Sequence, residues 1–360
     1  MNYSDLNNIS YNISSHTTEE IRASCDLVTE SFGPEMGIAF EKRYAWLFLE
    51  NPSGSGIILL AYDGNKLVGQ LCSIPCKYVL MNKHYVTAIA GEFLCVAPDY
   101  RGKGLMLQLL NKRANLDNHF PFVLDSPNKN SLNGFVKYEC NTLSVKQLIR
   151  PVKLSRCFAY KKVPRKIMGP FDKIWQKEER PETDESLIEE YSSDFDNKFN
   201  ELFETTNDNT MIRQVRNAEF LNWRYRNVPG RIYKTIISKG KEGKILGYII
   251  ISLSTIHGIS IGLIMDFYTT DEKCGRNLVR YALRYLWNND VALASAICSP
   301  NWLEYRLLKS EGFYNWPKII CPNPVKLFIK PSDENRVQID SHTLLNSNNW
   351  FIMFGDYYFN

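Results

Sequence analysis

Three groups of residues in this chain of 360 have types and spacings that could do chemistry. The first is Arg101-Gly102-Lys103-Gly104, which follows a short proline-containing turn and precedes apolar residues at helical spacing, Leu105 with Leu109 and Met106 with Leu110. Such a loop at the start of a helix cradles an anion. The first helical N–H groups lack partners, the helix dipole favours negative charge, and glycine lets a phosphate approach the main chain. Arg101 and Lys103 add positive charge, so a pyrophosphate is the expected guest. The second is Glu92, an acid inside the otherwise apolar run AIAGEFLCV. A carboxylate there must be paired, solvated by a cleft or perturbed, and both a general base and a structural ion pair fit it. The third is Phe220 to Arg226, FLNWRYR, whose aromatics and cations could stack on a sugar or grip a phosphate. Its aromatic spacing also suits a core, which leaves Arg224 and Arg226 as the candidate substrate-binding pair.

The elements that must position these residues follow from periodicity. Ile9 to Ser14 reads as a strand, and Thr17 with Glu20 makes a capping box for a helix through Phe32. A second helical segment carries Phe40, Tyr44 and Trp46. Ile57–Tyr62 and Lys66–Pro75 flank Asp63-Gly64-Asn65 as a hairpin, and Lys77–Leu80 with Tyr85–Val96 form another antiparallel pair. A short strand at 121–125 and a helix at 131–140 follow.

Strand, V-x-P-x-x-R-G-x-G and helix together resemble the acetyl-CoA loop of the GNAT N-acetyltransferases. The family pattern R/Q-x-x-G-x-G/A is matched at Arg101 and Gly104, with Met106 where a small residue is usual. The resemblance implies acetyl-CoA as acyl donor, held by the backbone of Leu94, Cys95 and Val96, by Arg101, Gly102, Lys103, Gly104 and Leu105, and by Asn128. It implies Glu92 as the general base. Phe135 stands in or near the place of the family's acid tyrosine, and Tyr138 is the nearest hydroxyl. Asn128 also suits a helix N-cap. FLNWRY with the ending Phe354-Gly355-Asp356-Tyr357 is similar to GNAT proteins of polysaccharide biosynthesis, which points to an amino sugar as acceptor.

Composition excludes more than it assigns. Apolar residues at 44%, charged residues at 23% and a net charge of +4 are ordinary for a globular protein and give no case for nucleic acid. The start lacks a basic segment followed by an apolar run, and no segment is long and apolar enough for a membrane span. Nine cysteines without a C-x-x-C argue against a disulfide framework or a metal site, so a reducing cytoplasm is expected. Expected partners are a small-molecule amine, possible sugars included, and a second copy of the chain.

A repeat runs through the sequence. Trp46 with Phe48 and Pro52 recurs as Trp223 with Tyr225 and Pro229, Lys66–Gly69 as Lys244–Gly247, and Glu92-Phe93 as Asp266-Phe267. Ser126-Pro127-Asn128 recurs as Ser299-Pro300-Asn301, and Pro151–Leu154 as Pro324–Leu327. The order predicts two tandem GNAT-like domains of mixed-sheet α/β class, at 1–157 and 191–360, joined by a linker at 158–190. The second copy reads TTDEKCGRNL at the loop, with one glycine, Gly275, and the acids Asp271 and Glu272 opposing phosphate, so it is expected to lack the cofactor site. The function expected is N-acyl transfer from acetyl-CoA to a primary amine, with a non-catalytic acyl-CoA-binding module as the alternative.

Overall fold

The computed structural model describes residues 6–117, 120–128, 130–138, 140–157, 172, 188–206, 211–256, 258–316, 325–332 and 341–357. Most of the expected linker lies outside these residues, as does Pro324.

Strand β1 (Ile9–Ile13) leads to α1 (Thr18–Phe32), whose start is fixed by the capping box of Thr17 and Glu20. Gly33, at φ +96°, turns the chain, and Pro34 opens α2 (Pro34–Phe48), which buries Phe40, Tyr44, Trp46, Leu47 and Phe48. Then come β2 (Ile57–Asp63), β3 (Lys66–Leu80) and β4 (His84–Val96). The sequence splits β3 at Pro75, but the structure keeps one strand, paired with β4 from Gly69 to Leu80. Pro75 sits just past the end of the β2 ladder, which stops at Ser73, so no β2 carbonyl waits for its missing N–H.

The first half continues with α3 (Leu105–Asp117), β5 (Phe122–Asp125), α4 (Leu132–Lys137), β6 (Asn141–Leu143), β7 (Lys146–Pro151) and α5 (Leu154–Cys157). The second half holds β8 (Ile188–Tyr191), α6 (Asn197–Thr205), β9 (Ile212–Gln214), α7 (Ala218–Tyr225), β10 (Lys234–Lys239), β11 (Ile245–Ile256) and β12 (Ile259–Thr269). After these follow α8 (Glu272–Asn288), β13 (Leu293–Cys298), α9 (Leu303–Ser310), β14 (Tyr314–Asn315), β15 (Leu327–Pro331), α10 (Ser341–Leu345) and β16 (Trp350–Phe351).

These strands build two sheets of matching plan, β1-β2-β3-β4-β5-β15-β6 and β8-β10-β11-β12-β13-β7-β14. In each, the fourth and fifth strands run parallel and the other neighbours antiparallel. The sixth strand of each sheet comes from the opposite half, since β15 completes the first sheet and β7 the second. Boundaries at 157 and 191 therefore do not divide the chain into two self-contained sheets. Strands β9 and β16 add to the first sheet through β3.

The register relates the halves residue by residue. Gly69 pairs with Val96 and Cys72 with Glu92, while Gly247 pairs with Thr269 and Ile250 with Asp266, so Glu92 and Asp266 hold equivalent places. Phe122 pairs with Pro331 and Leu293 with Pro151, so the partner of Pro151 is Pro331, not Pro324. The sequence match at Pro151–Leu154 is thus out of register, because similar residues fell at opposite ends of the two strands. Between the halves, Trp46 stacks on Trp223 at 4.7 Å, and each indole N–H donates to the other residue's carbonyl, at 2.8 and 2.9 Å.

Candidate active site

The site forms where β4 leaves β5. Their ladder ends at Gly91 opposite Asp125, and the register of β4 against β3 slips between Gln70 and Cys72. Phe93, in this bulge, has φ +43°, a left-handed conformation that costs a non-glycine residue energy and re-aims its neighbours. Beyond Gly91, one edge of β4 is freed from β5. The split is braced below by Arg113 of α3, which donates to both oxygens of Asp125 at 2.8 and 2.7 Å in a buried pair. A Cβ on Gly91 would meet Asp125 Oδ1 at 1.8 Å, so glycine is required there.

Two cavities meet over this edge. One, of about 570 Å³, is lined by Leu94, Cys95, Val96, residues 100–107, Asn128 and Gly134. The other, of about 690 Å³, is lined by Glu92, Phe93, Leu132, Phe135, Lys326 and Tyr357 among others. Phe32, Leu94, Asn128 and Ser131 line both.

The first cavity suits a pyrophosphate-bearing thioester. Gly102 and Gly104 take φ of +75° and +98°, and the amides of Gly102, Lys103 and Gly104 make no backbone hydrogen bond among the described residues. Arg101 folds its guanidinium back onto the Val96 carbonyl at 3.0 Å and the Ser31 carbonyl at 3.4 Å, bracing the loop. Met106 fits because it lies on Gly134 of α4, where a Cβ would meet its Cε at 2.3 Å. Asn128 Oδ1 accepts from the amides of Asn130 and Ser131, at 2.9 and 3.1 Å, shaping the turn before α4 as well as lining both cavities.

Glu92 is half-buried and faces the second cavity. Tyr138 lines neither cavity; it is buried against β15, with Lys330 Nζ 3.6 Å above its ring. Arg224 and Arg226 also line neither. Arg224 is fully buried and donates to the carbonyls of Gly355 and Tyr357 and to the Tyr233 hydroxyl, while Arg226 donates to the carbonyls of Ser193 and Tyr191. The C-terminal end of α7, which they occupy, points both at the protein's own main chain.

Sequence reasoning missed Asp356 and Tyr357 as site residues, although it noted their segment. Both lie beside Glu92, at a third, small cavity of about 20 Å³. Burial, helped by the charges of Asp356 and Glu92, pushes the Tyr357 hydroxyl well above its ordinary range.

In the second half the equivalent features are used up internally. Asp271 caps α8 by accepting from the Cys274 amide at 2.9 Å, and Gly275 lies inside the helix, where a Cβ would meet Leu307 at 2.4 Å. Asp266 is fully buried, bound by Arg216 at 3.0 Å and by the Tyr225 hydroxyl. No helix among the described residues is long and apolar enough to cross a membrane.

Residues 12–115 match the family described as acetyltransferase (GNAT) domain. No curated protein matches the sequence as a relative. Among solved structures, a probable N-acyltransferase of Enterococcus faecalis is similar at 14% identity and TM-score 0.61, covering 90% of this chain and 73% of that one. N-myristoyltransferase of Saccharomyces cerevisiae with bound myristoyl-CoA follows at 13% and 0.59, covering 90% and 83%. A GCN5-related N-acetyltransferase from Anabaena variabilis matches at 14% and 0.58, covering 90% and 73%. The likenesses show a shared fold across both halves, and the match to the GNAT acetyltransferase domain at 12–115 spans β4 and the glycine loop.

Proposed function

We propose that the protein transfers an acetyl group from acetyl-CoA to a primary amine of a small acceptor. The observation that carries this is the meeting of the two cavities over the freed edge of β4, with the loop amides at one end and Glu92 at the other. Bound acetyl-CoA supplies the acyl group as a thioester. The residues that would hold it are Gly102 to Leu105, the backbone of Leu94 to Val96, and Asn128. Glu92 takes a proton from the acceptor amine as its nitrogen bonds to the thioester carbonyl carbon, N–H groups on the open edge of β4 donate to the carbonyl oxygen as it gains charge, and the C–S bond then breaks, CoA leaving as a thiolate that takes its proton from solvent. Tyr138, packed under Lys330, does not serve as the acid in this reading.

An amino sugar is the acceptor class we favour. Phe32 is 42% exposed in the wall shared by both cavities, a ring available to stack on a sugar face, and the exposed Lys326 lines the same cleft. The test is release of free CoA thiol from acetyl-CoA against a panel of amino sugars, polyamines and peptides. Turnover with amino sugars above the others supports the acceptor class. A thermal shift with acetyl-CoA but no thiol release with any amine would instead support the non-catalytic binding module.

A further inference from the structure

We propose that Tyr357 is a positioning residue for Glu92, acting through one water held between them in the small cavity. This rests on Glu92 being the base, as read above.

The cavity is lined by Gly91, Glu92, Ser126, Asp356 and Tyr357 among others, and its volume of about 20 Å³ is room for a single water. The Tyr357 hydroxyl is buried and has no hydrogen-bond partner among the described residues. A buried hydroxyl in that state calls for a partner from outside the chain. Ionised Glu92 and Asp356 can only accept, whereas Tyr357 can donate. One water links the three groups: it accepts from the orphaned Tyr357 hydroxyl and donates to each carboxylate.

Arginines of the second half fix this arrangement. Arg224 donates to the Tyr357 carbonyl at 2.7 Å and to the Gly355 carbonyl at 3.3 Å. Arg216 donates to Asp356 Oδ1 at 2.7 Å, and the Met353 amide to Oδ2 at 2.7 Å. The other side of Arg216 binds Asp266, the equivalent of Glu92. The acid that has no cofactor cleft in the second half thus anchors the segment that completes the cleft of the first. Arg216 also neutralises Asp356, so a second carboxylate can stand beside Glu92.

Other titratable groups facing Glu92 or its cavities are Cys72 and Tyr78 of β3, Asp125 with its partner Arg113, and Lys326. None of these carries a hydroxyl like that of Tyr357, orphaned in both cavity walls.

The test is Tyr357→Phe in the full-length protein, which removes only the hydroxyl. The water then loses its donor and polarises less toward Glu92, so the ionised carboxylate is less favoured. We expect the acid limb of kcat/KM to move to higher pH and kcat to fall about 10-fold, with the acetyl-CoA thermal shift retained. Carbon-13 NMR of the Glu92 carboxyl, assigned with Glu92→Gln, should show a midpoint raised by about half a unit, a ~3-fold change in proton affinity. A high-resolution crystal structure should show the water within hydrogen-bond distance of Tyr357 Oη and Glu92. An unchanged NMR midpoint, a dry cavity or a Tyr357 hydroxyl bonded to protein overturns the proposal, and the crystallographic readouts, taken on the unaltered protein, hold even if the variant is unstable. If the midpoint moves but the wild type acetylates no amine, the positioning stands and the assignment of Glu92 as base fails.

Discussion

Glu92 and Asp266 occupy one place in two sheets and meet opposite surroundings. Asp266 is sealed in by Arg216 and Tyr225, whereas Glu92 opens onto a cavity of about 690 Å³. If Glu92 is the base, Glu92→Gln should lower turnover by about 10² or more while sparing acetyl-CoA affinity, measured as thiol release and as thermal shift. Unaltered turnover would return Glu92 to a structural role. Another acid sets a pH dependence of stability. Burial lifts Glu304 from its ordinary 4.5 to about 7, against opposing hydrogen bonds from the amides of Glu304 and Thr269. Its folded-state value lies above the unfolded one, so its contribution is complete below pH ~4.5 and is lost as pH rises through ~7, amounting to about 3 kcal/mol. Glu304→Gln should therefore melt higher than wild type at pH 8, and urea unfolding across this range should show a flatter profile in the variant. Parallel profiles would mean that Glu304 is solvated when ionised. At this scale the sequence named Glu92 from one acid in an apolar run. It could not place Arg224, because a cation next to aromatics looks alike whether it meets a ligand or the carbonyls of Gly355 and Tyr357, residues more than a hundred positions away.

Elements were legible where the signal is local. The capping box at Thr17, the Asp63-Gly64-Asn65 hairpin and the glycine loop depend on neighbours in the chain, and each appears where its residues predict. Strand β3 was misdivided because Pro75 is judged by its neighbours in sequence, while its tolerance depends on where β2 happens to end. The loops before α3 and α8 give an asymmetric prediction. At Gly104, with φ +98°, a valine would distort the turn that aims the amides, and acetyl-CoA should no longer raise the melting temperature. At Gly275 the backbone is helical and the obstacle is Leu307, so Gly275→Ala should cost about 1–3 kcal/mol of stability by overpacking yet keep the acetyl-CoA shift. Calorimetry with and without acetyl-CoA separates the outcomes, and equal loss of the shift in both variants would contradict a single cofactor loop.

Across the whole molecule the repeat was visible as an ordered set of short matches, but the exchange of the sixth strands was not. Lys146–Pro151 and Leu327–Pro331 are ordinary strand sequences, and nothing in them says which sheet they join. Their crossing ties the halves together, and the buried apolar core is continuous through both. Heating should give one cooperative transition, and residues 1–157 expressed alone should lack native-like near-UV dichroism, since β5 would miss the neighbour that separates it from β6. Two resolved transitions, or a folded fragment, would show that the exchanged strands are dispensable. The same crossing bears on synthesis. As the chain leaves the ribosome, the first sheet has β1 to β5 in hand but must wait about two hundred residues for β15. Through that interval the nascent chain presents the apolar edge Phe122–Asp125 unpaired, a surface that a chaperone can occupy and that invites pairing with neighbouring chains on the same messenger.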